Sequence, residues 1–155
     1  MKLLIVSDTH GKLANLEKAI NSQLPIDLLI HLGDGEKEVS DIKKIHPNLK
    51  TLQVKGNCDV GSKLNSSLEY TLLGKKLFIT HGHDFGVKSS LYPIFTKTKE
   101  LNADILLFGH THQPFHIFEQ GIFIMNPGSL GAACASYGII NIEENTVEMK
   151  LQELN

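Results

Sequence analysis

Five apolar runs in this chain are each followed directly by a cluster of side chains of the kind that bind metals. Each run is short, rich in branched residues and bounded by glycine, as expected of a buried strand. The carboxyl ends of strands in an open α/β sheet meet at one edge, where ligands bind. The repetition therefore predicts one metal site built from several loops. The five clusters are Ser7-Asp8-Thr9-His10-Gly11, Gly33-Asp34-Gly35, Gly56-Asn57-Cys58-Asp59, His81-Gly82-His83 and Gly109-His110-Thr111-His112.

Seven of the side chains in these clusters are predicted ligands with oxygen or imidazole donors, which is too many for one closed tetrahedral zinc site. They suit two ions that share a bridging carboxylate, as in two-metal phosphatases and nucleases. Two of the clusters place ligands two residues apart, and such residues point to the same side of an extended strand end. Nitrogen and oxygen ligation predicts two divalent transition-metal ions, with manganese first and iron, nickel, cobalt or zinc as alternatives. The predicted ligands are Asp8, His10, Asp34, Asn57, His81, His110 and His112.

The charge balance of such a site favours a phosphate substrate. Two divalent ions bring four positive charges and Asp8 and Asp34 remove two, so the site would attract hydroxide and phosphate. All 15 basic residues of the chain are lysine. Arginine is the usual bidentate clamp for phosphate, so ions, lysine, histidine or backbone N–H groups must replace it here. The formal charge of −2 argues against a dedicated binder of duplex nucleic acid.

Length and composition predict a single domain over residues 1–155, with 41% hydrophobic and 21% charged residues. No apolar run approaches the roughly 20 residues that span a membrane, so no membrane partner is expected. The two cysteines, Cys58 and Cys134, make no disulfide framework. Their number favours a cytoplasmic, reducing environment.

The order of strands and helices predicts an α/β fold. The first half alternates strands with two amphipathic helices, which implies parallel pairing with right-handed crossovers. The second helix would bury Val39, Ile42 and Ile45 on one face. A hairpin around a Gly74-Lys75 turn, a helix over about 90–102 and four late strands follow. The simplest architecture is a mixed two-sheet sandwich with helices outside.

The five motifs, in this order, resemble the calcineurin-like metallophosphoesterase superfamily. The short chain and the Gly56-Asn57-Cys58-Asp59 motif resemble its small bacterial and archaeal phosphodiesterase branch. The resemblance extends from Asp8 to the turn formed by residues 126–129, and it implies a four-layer αββα sandwich. It also implies a ligand assignment, with Asp8, His10 and His112 on one ion, Asn57, His81 and His110 on the other, and Asp34 bridging.

One residue departs from the pattern of the family. Many members carry a histidine after the Gly-Asn pair, where it is thought to protonate the leaving group, and Cys58 stands there instead. A thiol is a weaker hydrogen bonder with an ordinary pKa of about 8.5. We therefore expect a diesterase whose leaving group needs less protonation. Asn57 and His110 are expected to assist the reaction, and Cys58 either takes part in it or only packs beside the site. His83 is expected to support a ligand or contact substrate, and Asp59 to orient a neighbour or serve as an ordinary turn carboxylate.

These observations predict a phosphodiesterase that cleaves small phosphodiesters with a metal-bound hydroxide. A phosphomonoesterase and a non-catalytic, metal-binding scaffold for protein interactions are the alternatives, because one retromer subunit uses this fold for protein contacts. A nuclease is disfavoured by the small size and weak basic character. A homo-oligomer, dimer or tetramer, is expected from apolar side chains that one small sheet would not cover. These side chains are Phe115, Ile117, Phe118, Phe123, Tyr137 and Ile139.

Overall fold

The computed structural model describes residues 1–144 and 146–155, which form ten strands and three α-helices. A short 3-10 turn at His83–Phe85 precedes the third helix. The elements in chain order are β1 (Lys2–Val6), α1 (Leu13–Gln23), β2 (Leu28–His31), α2 (Glu36–Ile45), β3 (Thr51–Gln53), β4 (Ser67–Leu72), β5 (Lys75–Thr80), α3 (Tyr92–Glu100), β6 (Ile105–Leu107), β7 (Phe115–Glu119), β8 (Ile122–Asn126), β9 (Ser136–Ile142) and β10 (Val147–Glu153).

The strands form two mixed five-stranded sheets. The first sheet has the order β10-β9-β1-β2-β3, in which β1, β2 and β3 are parallel and β9 runs antiparallel to β1. The second sheet has the order β4-β5-β6-β8-β7, in which β5, β6 and β8 are parallel and the two edge strands are antiparallel. The alternation of strand and helix in the first half therefore produces the parallel pairing that was expected.

Successive side chains along a strand point to opposite faces of its sheet, so each strand contributes to a core between the sheets and to a core under the helices. Leu3 and Ile5 point between the sheets, where Leu77 and Leu107 of the second sheet meet them. Leu4 and Val6 point outward and are covered by α1 and α2. Ile94 of α3 packs on the outer face of the second sheet. The four-layer αββα sandwich implied by the family resemblance is confirmed.

Three local expectations differ from the structure. Ile45 is 46% exposed because it is the last residue of α2, beyond the part of the helix that packs on the sheet. The hairpin turns at Leu73 and Gly74, which both have positive φ, rather than at Gly74 and Lys75. This is the backbone conformation that a two-residue hairpin turn with the twist of its strands requires. The third helix is shorter than predicted at both ends.

The last hairpin joins β9 and β10 in antiparallel register, as expected. The sequence places an acidic turn between them, and Asn145 of that turn lies outside the described residues. Among the residues that are described, no helix is long and apolar enough to cross a membrane.

Candidate metal centre

The loops that follow β1, β2 and β6 meet where the two sheets come together. Asp8 N–H donates to Gly33 O at 3.0 Å within the first sheet, and His110 N–H donates to Asp8 Oδ2 at 3.1 Å from the second. Asp8 Oδ1 lies 3.1 Å from His112 Nε2 and 3.6 Å from His10 Nε2. The two histidine nitrogens are 3.4 Å apart. Asp8, His10 and His112 thus present three donor atoms to one point.

A second group of donors surrounds His81. Its Nε2 lies 3.1 Å from Asn57 Oδ1, 3.2 Å from His110 Nδ1 and 3.5 Å from Asp34 Oδ2. Its Nδ1 lies 2.7 Å from Leu32 O and donates to it, so in the neutral imidazole Nε2 presents a lone pair. That lone pair faces the amide oxygen of Asn57 with no proton between them. A cation would satisfy both atoms.

Two buried carboxylates each face histidines of both groups. Asp8 and Asp34 are 0% and 4% exposed, and all their ion-pair contacts within residues 1–144 and 146–155 are with histidines. Asp34 Oδ2 is 3.5 Å from His81 Nε2 and 3.9 Å from His10 Nε2, and Asp8 Oδ1 is 3.9 Å from His81 Nε2. Buried carboxylates are costly unless they are paired with positive charge. The donor set therefore fits divalent cations.

The backbone at the predicted ligands is unusual. Asp8, His10, Asp34, His110 and His112 all have φ between 44° and 68°, in the left-handed region that non-glycine residues seldom adopt. The expectation that paired ligands share a side because they lie on an extended strand end is therefore wrong. The chain instead turns sharply after each strand, and these turns bring the ligand side chains together. Such strain is typical of functional sites.

Glycine is required where two of the loops approach each other. A Cβ on Gly56 would overlap the carboxylate of Asp34. A Cβ on Gly109 would overlap Ser7 Oγ and lie 3.0 Å from Asp8 Oδ2. Both glycines immediately precede a predicted ligand, so the Gly-Asn and Gly-His pairs reflect close packing of the ligand loops.

Asp59 connects the loops that follow β2 and β3. Its Oδ2 accepts hydrogen bonds from Asp34 N and Gly56 N, both at 2.8 Å, and its Oδ1 accepts from Gly35 N and Glu36 N, both at 3.1 Å. Burial alone would raise the pKa of Asp59, but the N–H donors of Gly56, Glu36 and Asp34 outweigh it and hold that pKa below its ordinary value. Of the two interpretations from the sequence, these contacts favour a carboxylate that orients its neighbours.

His83 borders the second group of donors. Its ring centroid is 5.3 Å from that of His81 and 6.1 Å from that of His110, and its Nε2 lies 3.2 Å from Asp84 Oδ1. Its Nδ1 is buried without a hydrogen-bond partner in the described part of the chain. Burial, with His81 and Lys88 nearby, lowers the pKa of His110, which keeps that imidazole in the neutral form that binds metals.

Cys58 lies beside Asp34 at the exposed side of the site. Its backbone N–H donates to Asp34 Oδ1 at 2.7 Å, and its Sγ accepts from Asn57 Nδ2 at 3.4 Å. Hydrogen bonding to the Asp34 carboxylate, followed by burial, raises the pKa of the Cys58 thiol. The thiol is therefore protonated at neutral pH unless an ion binds it.

Three residues outside the predicted ligand set support the ligand loops. Asn126 Nδ2 donates to Gly109 O at 2.9 Å, and Ser129 Oγ donates to Asp8 O at 2.8 Å, so both hold the backbone of ligand loops. Gly33 N–H donates to His31 Nδ1 at 3.2 Å, which leaves the proton on Nε2. Burial lowers the pKa of His31 to about 4. The only sequence signal for Asn126 and Ser129 was a polar turn directly after a buried strand.

Two curated relatives cover almost the whole chain. The protein described as probable metallophosphoesterase YsnB of Bacillus subtilis is 33% identical over 159 residues, which span 99% of this chain and 91% of the relative. Phosphodiesterase YfcE of Escherichia coli is 30% identical over 168 residues, which span 91% and 88% of the two chains.

Solved structures share the fold along its full length. A conserved Streptococcus pneumoniae protein described as a predicted phosphoesterase superposes with a TM-score of 0.84 at 25% identity, covering 98% of this chain and 88% of that one. Vps29 of Entamoeba histolytica, solved with zinc, superposes with a TM-score of 0.76 at 21% identity, covering all of both chains. At that identity the second likeness shows the fold alone.

The family profile described as calcineurin-like phosphoesterase superfamily domain matches residues 1–145. The profile and the curated relatives agree with the order of the five motifs and with the αββα sandwich. A chain with this fold, these relatives and this cluster of donors belongs to the calcineurin-like phosphoesterase superfamily, in its small bacterial and archaeal phosphodiesterase branch.

Proposed function

We propose that this member of a metal-dependent phosphoesterase family is a phosphodiesterase with two metal ions, which acts on small phosphodiesters. The observation that carries the proposal is the position of Asp34 between His10 and His81, at 3.9 and 3.5 Å from their Nε2 atoms. One carboxylate that faces two separate groups of nitrogen donors is the arrangement that a bridged pair of ions needs.

The proposed residue roles follow from where the side chains lie. Asp8, His10 and His112 would hold one ion, and Asn57, His81 and His110 the other, with Asp34 between them. Bound divalent ions lower the pKa of water and polarise phosphoryl oxygens, and manganese is the ion we expect first. Asn57 and His110, which both contact His81 Nε2, would also contact a phosphoryl oxygen. Cys58, with an exposed sulfur, would protonate the leaving oxygen, and His83 would contact the substrate.

The direct test compares metal-free and manganese-loaded protein on bis(4-nitrophenyl) phosphate. We expect little turnover after chelation, recovery with manganese, and close to two bound ions per chain by elemental analysis. Asp34→Asn should lose most of the activity together with bound manganese. Asp41, whose partly exposed carboxylate pairs with Lys37 and Lys44 on α2, provides the matched control Asp41→Asn. Full activity in metal-free protein would contradict the proposal.

The competing function is a protein-interaction scaffold that binds metal without hydrolysing anything. It is supported by the shared fold of Vps29, whereas the complete set of seven donor side chains supports an enzyme. Calorimetry with manganese, followed by assays on phosphomonoesters, diesters and cyclic nucleotides, separates the functions. Tight metal binding without hydrolysis of any ester would favour the scaffold. Preference for monoesters would favour a phosphomonoesterase.

Small substrates are proposed in preference to nucleic acids. The chain carries a formal charge of −2 and no arginine, so it lacks the basic character that tracks a phosphate backbone. Hydrolysis of single-stranded oligonucleotides as fast as of small diesters would contradict this preference.

Self-association is expected through β7, an edge strand of the second sheet. Ile117 and Phe118 are 39% and 58% exposed, and no lysine in the strand opposes pairing with another strand. In an antiparallel pair of β7 strands centred on Ile117, the same residue would meet its counterpart in a second copy. The wider apolar surface expected from the sequence is smaller in the fold, because Tyr137 and Ile139 are buried beneath the helices of the first sheet.

A further inference from the structure

The sulfur of Cys58 lies among donor atoms of the metal centre. Cys58 Sγ, an imidazole nitrogen of His10 and a carboxylate oxygen of Asp34 all lie within 4.8 Å of one another. The bond from Cys58 N–H to Asp34 Oδ1, at 2.7 Å, fixes the residue beside that carboxylate. The side chain is exposed, so an ion arriving from solvent would reach the sulfur.

The carboxylate of Asp34 is a second, independent indication that a cation binds beside Cys58 Sγ. Its side chain is only 2% exposed, and its Oδ2 points between His10 Nε2 and His81 Nε2. In the described ranges, 1–144 and 146–155, its ion-pair contacts are with these histidines alone. A buried carboxylate without a fixed positive partner is directed at the same point as the thiol.

Cysteine sulfur differs from the other seven donors in the ions it selects. Thiolate is a soft ligand that favours thiophilic ions such as zinc, whereas manganese prefers oxygen and nitrogen. Zn–S and Zn–N bonds are about 2.3 and 2.0 Å long, so small rotations of the side chains would bring the three donors onto one tetrahedral ion.

We propose that Cys58 becomes a metal ligand when the ion is thiophilic, so that His10, Asp34 and Cys58 together bind zinc or cadmium, whereas manganese is bound without sulfur. The proposal rests on the metal centre proposed above and adds a ligand to it. On binding, the thiol proton passes to solvent and the S–H group is no longer available to a leaving oxygen. Zinc or cadmium bound in this way would therefore inhibit the manganese enzyme.

The test is a cadmium titration of the metal-free, full-length chain, read as thiolate-to-cadmium charge-transfer absorption in the ultraviolet. We expect the band in the wild type and in Cys134→Ser, and its loss in Cys58→Ser. Cadmium should protect one of the two thiols from a thiol reagent, and manganese should protect neither. Cys58→Ser should weaken cadmium binding at least about tenfold, with manganese affinity unchanged.

Three results would overturn the proposal: an equal band in Cys58→Ser, an unchanged reaction of Cys58 with the reagent when cadmium is bound, or unchanged cadmium affinity in the variant. None of these measurements uses a substrate. A normal cadmium band in a protein that hydrolyses no phosphoester would leave Cys58 as a ligand and reject the enzymatic function. Manganese-dependent hydrolysis by a protein that shows no cadmium band would support the enzymatic function and reject Cys58 as a ligand.

Discussion

The Asp59 carboxylate accepts a hydrogen bond from the backbone N–H of Asp34 at 2.8 Å, and so one acidic residue positions the loop of another. The same oxygen accepts from Gly56 N, and the other oxygen accepts two more N–H groups. All four partners are donors, so every lone pair that Asp59 directs into the loops is used. The bridging position proposed for Asp34 therefore depends on a residue that lies outside the set of predicted ligands.

Asp59→Asn should weaken manganese binding while leaving the protein folded. The amide NH₂ would face two N–H donors in place of an acceptor oxygen, which displaces the loops of Asp34 and Asn57. Loss of an orienting partner typically costs about 10–100-fold in metal affinity, and we expect a loss in this range by calorimetry. Asp41→Asn is the matched control on the exposed face of α2. Unchanged manganese affinity in a folded Asp59→Asn would leave Asp59 an ordinary turn carboxylate.

Cys58→His should change which esters the enzyme hydrolyses well. A positioned acid contributes about 10²–10⁴-fold when the leaving group is poor, and an aryl oxide needs that help less. The wild type should therefore hydrolyse aryl esters faster than alkyl or nucleoside esters. Cys58→His should lower the ratio of the aryl kcat to the alkyl kcat at least about tenfold, chiefly by raising kcat for the alkyl and nucleoside esters. Cys58→Ala should keep its manganese content.

Two outcomes would count against this argument. If Cys58→His changed kcat equally for aryl and alkyl esters, the residue at position 58 would not act by donating a proton to the leaving group. Loss of manganese from Cys58→Ala would show that sulfur binds even this ion.

Stability of the metal-free protein should fall between pH 7.5 and pH 5 partly because of His31. Its folded pKa of about 4 lies below the unfolded value of 6.5, so the unfolded chain binds the proton first as the pH falls. The contribution of neutral His31 to the free energy of unfolding is complete above pH 6.5, the pKa in the unfolded chain. It is lost as the pH falls toward about 4, the pKa in the folded protein. By pH 5 the loss amounts to roughly 2 kcal/mol.

Urea unfolding of wild type and His31→Gln at the two pH values isolates this effect. The other titrating groups are common to both proteins, so the difference in their pH-dependent losses reports on His31. The variant should lose less stability on acidification. The same loss in both proteins would mean that His31 does not stay neutral in the fold.

Ile117→Lys should shift the protein toward the monomer in light scattering. The substitution places a charge at the centre of the exposed edge of β7, where two copies would meet. Tyr70→Lys is a matched control, because Tyr70 is 38% exposed on β4, the opposite edge of the same sheet, against 39% for Ile117. A wild type that is monomeric at high concentration would contradict the self-association.

Much of the fold and the candidate site was predictable from local patterns. The apolar runs predicted strands such as β1 and β2. The helical spacing of Leu13, Leu16, Ala19 and Ile20 predicted the packed face of α1, on which Leu13 is partly buried and the other three are buried. The polar clusters directly after the runs predicted which seven side chains would gather at one edge. These features depend on residue type and spacing along a few consecutive residues, which a sequence displays directly.

The sequence alone determined which donors are present, their order along the chain, and the absence of arginine from the chain. Only the tertiary structure decided how they meet: the left-handed backbone at Asp8 and Asp34, the four hydrogen bonds to Asp59, and the approach of Cys58 Sγ to His10 and Asp34. These features arise between loops that are distant in sequence, and their geometry depends on how the two sheets pack. Local propensity carries no information about such contacts, because the same residues in an isolated loop would have no partners to orient.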